Sequence, residues 1–179
     1  MVEVATYEKM KQFVGFSDAD ASNLKQLAPV FAKHGPGLTD GFYETLAKYE
    51  ETNAIISGRT DALKATHAQW MAELFAGDYG SSYFERRMKI GLVHVKVGIP
   101  PHFVEAVMDV IRTGGLAAIF AELEDRSQAI ACSQSLLKLL DLDLLIINLA
   151  YGEERLERLT AFTGFSRRLI ENCINKAKK

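Results

Sequence analysis

The sequence predicts an all-α chain, and three observations carry that expectation. Apolar residues recur three or four positions apart along most of its length, the joints between these runs hold glycine, proline and capping residues, and no two alternating segments offer to pair as strands. At 179 residues, with 48% hydrophobic and 25% charged side chains, the chain can bury a sizeable core. One domain, 1–179, is expected, and no internal repeat divides it.

A leading helix from Val4 to Val14, within residues 1–15, ends near Gly15. Ser17, three residues before Asp20, has the form of a capping box and opens the next helix. The run His34-Gly35-Pro36-Gly37 is expected to stop that helix, and a third, about Leu38 to Tyr49, places Phe42, Leu46 and Tyr49 on one face with Tyr43 beside them. A looser segment, Glu51 to Thr60, follows. The stretch Asp61 to Phe75 then brings Leu63, His67, Trp70, Met71 and Leu74 to one face, apolar apart from its histidine.

Gly77, Asp78 and Gly80 break that helix, and Ser82 with Glu85 forms a second capping pair for a helix through His94. Between Leu92 and Ile99 the alternation of Val93, Val95 and Val97 with His94 and Lys96 resembles a half-buried strand. With no partner strand its backbone groups would go unpaired, so helix is the expectation there too. Gly98, Pro100 and Pro101 end it, and the prolines suit the first turn of a long helix through Phe120. A last helix is expected from about Ser127 to Thr163, through Leu136, Leu140, Leu144, Ile147 and Tyr151, with 164–179 as a helical extension.

Composition excludes several functions. A net charge of -2 and a pI near 6.1 lack the basic excess of a dedicated nucleic-acid binder. Only the tail is basic, at Arg167, Arg168, Lys176, Lys178 and Lys179, which reads first as a solvated helix end and second as a linker or membrane-proximal helix. The apolar run Leu144 to Tyr151, interrupted by Asn148, is far short of a membrane span, and Glu3, Tyr7, Glu8 and Lys9 stand where an export signal needs an apolar stretch. Cys132 and Cys173 belong to no CxxC or CxxCH pattern, which argues against a zinc site and covalent haem attachment and for a reducing, cytoplasmic setting. No GxSxG, Walker A, HExxH or GxGxxG motif is present, so no catalytic centre is expected.

The histidines are the chemistry-bearing residues. His94 lies on a helix with Arg87 and Ile90 before it and Leu92, Val93, Val95 and Val97 around it, a setting in which imidazole can ligate haem iron beside an apolar wall. The alternative is a half-buried histidine satisfied by a neighbouring carbonyl. His67 precedes His94 by 27 residues, about 40 Å along one continuous helix, so the two can meet only from separate helices across the turn at Gly77 to Gly80. Three readings of His67 stand side by side: a second iron ligand, a distal residue near the iron, or a core histidine bonded to a carbonyl. Trp70, Met71 and Leu74 read as pocket wall. His34 and His102 sit at turns and do not enter the site.

The run RRMKIGLVHVKVGIPPHF, residues 86–103, resembles the proximal-helix signature of globin-coupled sensors: an Ile-Gly pair, a histidine three residues after the glycine, then Gly-Ile-Pro-Pro. HAQWMAELFAGDYGSSYFERR, residues 67–87, is similar to the family's preceding helix and turn, and FYETL, residues 42–46, to its distal-tyrosine segment. The resemblance spans essentially the whole chain, including the extra leading helix. It implies a globin-like helical sandwich holding non-covalent haem b, with His94 as proximal ligand, Tyr43 donating to a bound ligand, and His67 as a candidate sixth ligand. Phe42, Trp70, Met71, Leu74, Arg87, Ile90 and Val97 would line the pocket.

The function so implied is sensory and not enzymatic: binding of a diatomic gas, oxygen first, or a redox change, passed to a signalling output domain in a longer protein. A homodimer through the last two long helices is implied as well, and Leu136, Leu139, Leu140, Asp143, Leu144 and Ile147 offer a broad face for it unless the globin body itself buries them. A bis-histidyl electron-transfer globin and a haem-free helical interaction module are the competing readings.

Overall fold

The computed structural model describes residues 2–176, with no account of the Val2 and Glu3 side chains; Lys178 and Lys179 lie outside the described residues. Described residues form helices joined by short turns, and none is in a strand. In chain order these are α1 (Val2–Phe13), α2 (Asp18–Gln26), α3 (Ala28–Leu46), α4 (Glu50–Ile56), α5 (Thr60–Leu74), α6 (Ser81–Val97), α7 (Pro101–Glu122), α8 (Arg126–Thr163) and α9 (Arg167–Lys176). Helices α6 and α7 pack on α8, α3 packs on both α5 and α7, and α1 and α2 close the other end of α8. No helix among the described residues is long and apolar enough to cross a membrane.

Several joints follow the local chemistry. The Ser17 amide donates to Asp20 Oδ2 at 2.9 Å, completing the box that opens α2. Pro101 opens α7, and Asp125 caps α8 by accepting from the amides of Ser127 (2.8 Å) and Gln128 (3.1 Å). The valine-alternating segment is the last turn of α6, closed by Gly98 at φ +81°.

Other joints differ from expectation. Helix α3 runs unbroken through His34-Gly35-Pro36-Gly37, and the break falls earlier, at Leu27, with Pro29 in the first turn where a missing N–H costs nothing. Tertiary packing outweighs the local signal: a Cβ on Gly35 would lie 2.7 Å from Met71 Sδ, so the glycine lets α3 and α5 approach closely. The looser segment contains α4. Helix α6 starts at Ser81 behind Gly80 with no side-chain cap, so the Ser82–Glu85 pair is not used. Beyond Gly164 (φ +70°) the chain does not extend; α9 folds back on α8, where Arg167 grips Glu153 with two bonds of 2.5 Å and Ile170 is buried.

The face of α8 read as a dimer surface is consumed inside the chain. Leu136, Leu139, Leu140, Asp143 and Ile147 are all buried, and Leu144 is half-buried, because α6, α7, α1 and α2 surround this helix. A second, smaller apolar cluster gathers Phe42, Tyr43 and Ile56 with Leu46, Leu63 and Val107, apart from the main core.

Candidate functional site

Helix α6 is seated by a glycine. A Cβ on Gly91 would lie 2.6 Å from Ala150 Cβ and 3.1 Å from Ile147 Cα, so only glycine lets α6 rest against the α8 backbone. One turn on stands His94, its carbonyl accepting from the Ile99 amide at 3.0 Å, while Tyr151 donates to the Ile99 carbonyl at 2.5 Å and ties the turn to α8. The His94 side chain makes no hydrogen bond. Its Nδ1 is buried without a partner, and Nε2 is not sealed off in that way, so the Nε2 edge reaches accessible space. Burial pushes the imidazole down to about 4, which leaves it neutral near pH 7.

The helical period decides what flanks His94. Ile90 and Val97, four before and three after, share its side of α6 and are half-buried. Leu92 and Val93 are exposed and Val95 packs against the main core, so these three do not form the apolar wall beside His94 that the sequence suggests.

On α5 the His67 ring sits between Phe42 and Trp70, with centroids 5.0 Å from each, and edge-on to Tyr43 at 6.2 Å. Burial holds His67 down at about 4 and lifts the Tyr43 phenol to about 12, so both are neutral and Tyr43 keeps its O–H. His67 Nδ1 lies 2.9 Å from Thr39 Oγ1, and its Nε2, like that of His94, is not a sealed atom. Sequence reasoning missed Thr39. The only signal was its place one turn before Tyr43 on the same face of α3, and helical threonines ordinarily bond back to their own helix.

Arg87, expected beside a cofactor, is committed elsewhere. It is completely buried and donates to Asp143 Oδ2 (3.0 Å), Glu73 Oε2 (2.6 Å) and the Trp70 carbonyl (3.2 Å). Asp143 also accepts from Tyr83 (2.5 Å) and Trp70 Nε1 (2.8 Å). Burial drives the Asp143 carboxyl above its ordinary range while the Arg87 charge and the donors of Tyr83 and Trp70 pull it back; burial is also the strongest single influence against the Arg87 charge, but Asp143, Tyr83 and Glu73 together outweigh it and the guanidinium stays protonated. Met71 meets Gly35, and Leu74 is fully buried in the main core.

Glu73 binds both Arg86 (3.1 Å) and Arg87, which closes the corner between α5 and α6. Away from that corner the two helices pack on different partners, α5 on α3 and α6 on α8. His67 lies six residues before Glu73, about 9 Å along α5, and His94 seven residues after Arg87, about 10 Å along α6. Each arm of the corner thus carries one neutral imidazole at a similar distance from the vertex.

These residues fit a haem. An imidazole ligates iron as the neutral base through Nε2, and His94 offers that form in a half-buried, otherwise unbonded side chain. Among the described residues no three of His, Cys, Asp and Glu gather as a bare-metal site. His34 is bound to Glu122 at 2.7 Å and His102 packs on Phe103, away from this corner. An open groove of about 520 Å³ between α3 and α5, lined by Phe31, Gly35, Thr39, Met71 and Phe75 among others, includes neither histidine.

Comparison with known proteins agrees with this architecture. Residues 4–168 match the Protoglobin family model. The heme-based aerotactic transducer HemAT of Halobacterium salinarum is 28% identical over 159 residues, covering 82% of this chain and 32% of the transducer, so the chain spans about a third of that relative's length. The globin domain of a Geobacter sulfurreducens globin-coupled sensor is 32% identical with TM-score 0.77, over 80% of this chain and 96% of that one. The ferric globin domain of E. coli DosC, at 18% identity and TM-score 0.69 over 80% and 98% of the chains, shares the fold. The chain belongs to the protoglobin family, as a globin domain of the globin-coupled-sensor kind.

Proposed function

We propose that the chain is a haem-binding sensory globin domain in which His94 holds the iron. The observation that carries this reading is the His94 imidazole itself: neutral and without any hydrogen bond, with Nε2, the nitrogen through which imidazole ligates iron, left open to accessible space. Haem b, bound without covalent attachment, would supply an iron that takes a diatomic ligand, oxygen first, and changes oxidation state. His94 binds and orients from α6. Tyr43, on α3 and edge-on to His67, keeps its proton by burial and would donate to a bound ligand, and Phe42, Trp70, Ile90 and Val97 would exclude water.

His67 is the proposed sixth ligand, and the even placement of the two imidazoles about the Glu73–Arg87 corner supports it. Movement of His67 or Tyr43 would pass through Trp70 to Asp143 on α8, and α8, with α9 folded back on its end, would relay it to an output module in a longer, cytoplasmic protein. The dimer proposed here uses the outer faces of α7 and α8, where Phe120 and Ile130 remain exposed. Sedimentation at micromolar concentration is expected to give twice the chain mass, and a monomer would refute the dimer.

Visible absorption of the haem-loaded protein tests the ligation directly. A low-spin, six-coordinate fraction alongside a five-coordinate one in the ferric and ferrous states, with the six-coordinate fraction lost in His67→Ala, is expected. A five-coordinate ferrous spectrum that binds carbon monoxide at once would leave His94 as sole protein ligand. Six-coordinate iron that refuses carbon monoxide altogether would favour the electron-transfer reading instead.

A further inference from the structure

The hydrogen bond between Thr39 and His67 has a direction, and the surroundings decide it. Thr45, Thr66, Thr113 and Thr160 each donate back to the carbonyl four residues earlier in their helices. Thr39 makes no such bond; its hydroxyl has His67 Nδ1 as its partner. On its other side Thr39 lines the apolar groove between α3 and α5, whose polar rim, Asp40 and Lys64, is paired with itself at 2.6 Å.

Two arrangements satisfy the 2.9 Å contact. If Nδ1–H donates to Thr39, the threonine proton is left without an acceptor at a residue only 4% exposed. If Thr39 donates to Nδ1, the proton on the ring sits at Nε2, the edge that reaches accessible space and can find a partner there. The second arrangement avoids a buried unpaired donor.

We infer that Thr39 sets the tautomer of His67, holding the proton on Nε2, so that His67 is by default a hydrogen-bond donor and must shed that proton from Nε2 to ligate iron. This rests on the proposed reading of His67 as sixth ligand, and it makes Thr39 a positioning residue that opposes ligation and keeps the iron available to an external ligand. When His67 does bind, the proton moves to Nδ1 and the Thr39 hydroxyl must rotate to accept it, so the exchange is a relocation with no net gain or loss of protons.

The test uses the full chain loaded with ferrous haem. In the diamagnetic carbon monoxide complex, ring-nitrogen NMR of His67 is expected to show Nε2 protonated and Nδ1 bare; Nδ1 protonated in the wild-type chain would overturn the inference without any variant. Thr39→Val is expected to move the proton toward Nδ1, raise the six-coordinate low-spin fraction in the absence of carbon monoxide and slow carbon monoxide binding several-fold. Thr39→Ser, which keeps the hydroxyl, is expected to behave as wild type. An unchanged tautomer in Thr39→Val, or a serine variant that behaves as the valine, would count against it. A tautomer shift with no change in absorption or binding rate supports the Thr39 assignment and overturns His67 as a ligand.

Discussion

At the scale of single residues, chemistry is concentrated in side chains whose state is fixed by burial. Tyr43 is kept a donor by desolvation, with its pKa near 12. Tyr43→Phe is expected to speed oxygen release from the ferrous protein about tenfold, the worth of one hydrogen bond of roughly 1–1.5 kcal/mol, by stopped-flow measurement. His94, His67, Tyr43 and Trp70 were legible in the sequence because helical spacing and the FYETL and IGLVHVKVGIPP runs mark them. Thr39 was not, since nothing in a threonine's spacing tells whether its hydroxyl turns to its own helix or across to another.

Asp20 carries a different residue-scale consequence. Burial works to raise its carboxyl, but Ser135, the Ser17 amide and Lys138 outweigh it and hold it below its ordinary value of 3.8. A lowered native pKa means that the unfolded chain binds more protons around and below pH 3.8, so this stabilisation is complete above that pH and lost as the pH falls below it. Asp20→Asn is expected to cost about 1–2 kcal/mol in urea unfolding at pH 7. The difference from wild type should shrink toward pH 3.

At the scale of elements, glycine decides where helices touch. Gly91 seats α6 on α8, and Gly91→Ala places a methyl 3.1 Å from the Ile147 backbone and 2.6 Å from Ala150 Cβ. Since backbone cannot swing aside, α6 must shift, at an expected cost of about 1–3 kcal/mol in urea unfolding and with a displaced Soret band, because His94 rides on the same turn. The order and nature of the long elements were readable from periodicity and from the proline and glycine joints. The unbroken course of α3 through Pro36 was not, because the signal for a break is local and the contact of Gly35 with Met71 that overrides it is tertiary.

At the scale of the whole molecule, one buried cluster joins the parts: Asp143 on α8, Arg87 and Tyr83 on α6, Trp70 on α5. Asp143 stands 56 to 73 residues from the other three, so no spacing reveals the cluster, and the sequence placed Arg87 at the cofactor and Asp143 on a dimer face. Asp143→Ala leaves the Arg87 guanidinium buried with Glu73 as its remaining charged partner, and a loss of about 3–5 kcal/mol in denaturant unfolding is expected. Trp70→Phe removes a single donor and should cost about 1 kcal/mol, while loosening the stack against His67. A Trp70→Phe variant as unstable as Asp143→Ala would place the energy of the cluster in the indole and not in the ion pair.

The central claim, that His94 is the residue through which the protein holds haem iron, is tested most directly by His94→Gly expressed with and without added imidazole. The account predicts that the variant loses the wild-type Soret spectrum and that free imidazole, entering the space of the missing side chain, restores it. A His94→Gly protein that takes up haem stoichiometrically with an unchanged spectrum and no response to imidazole would contradict it.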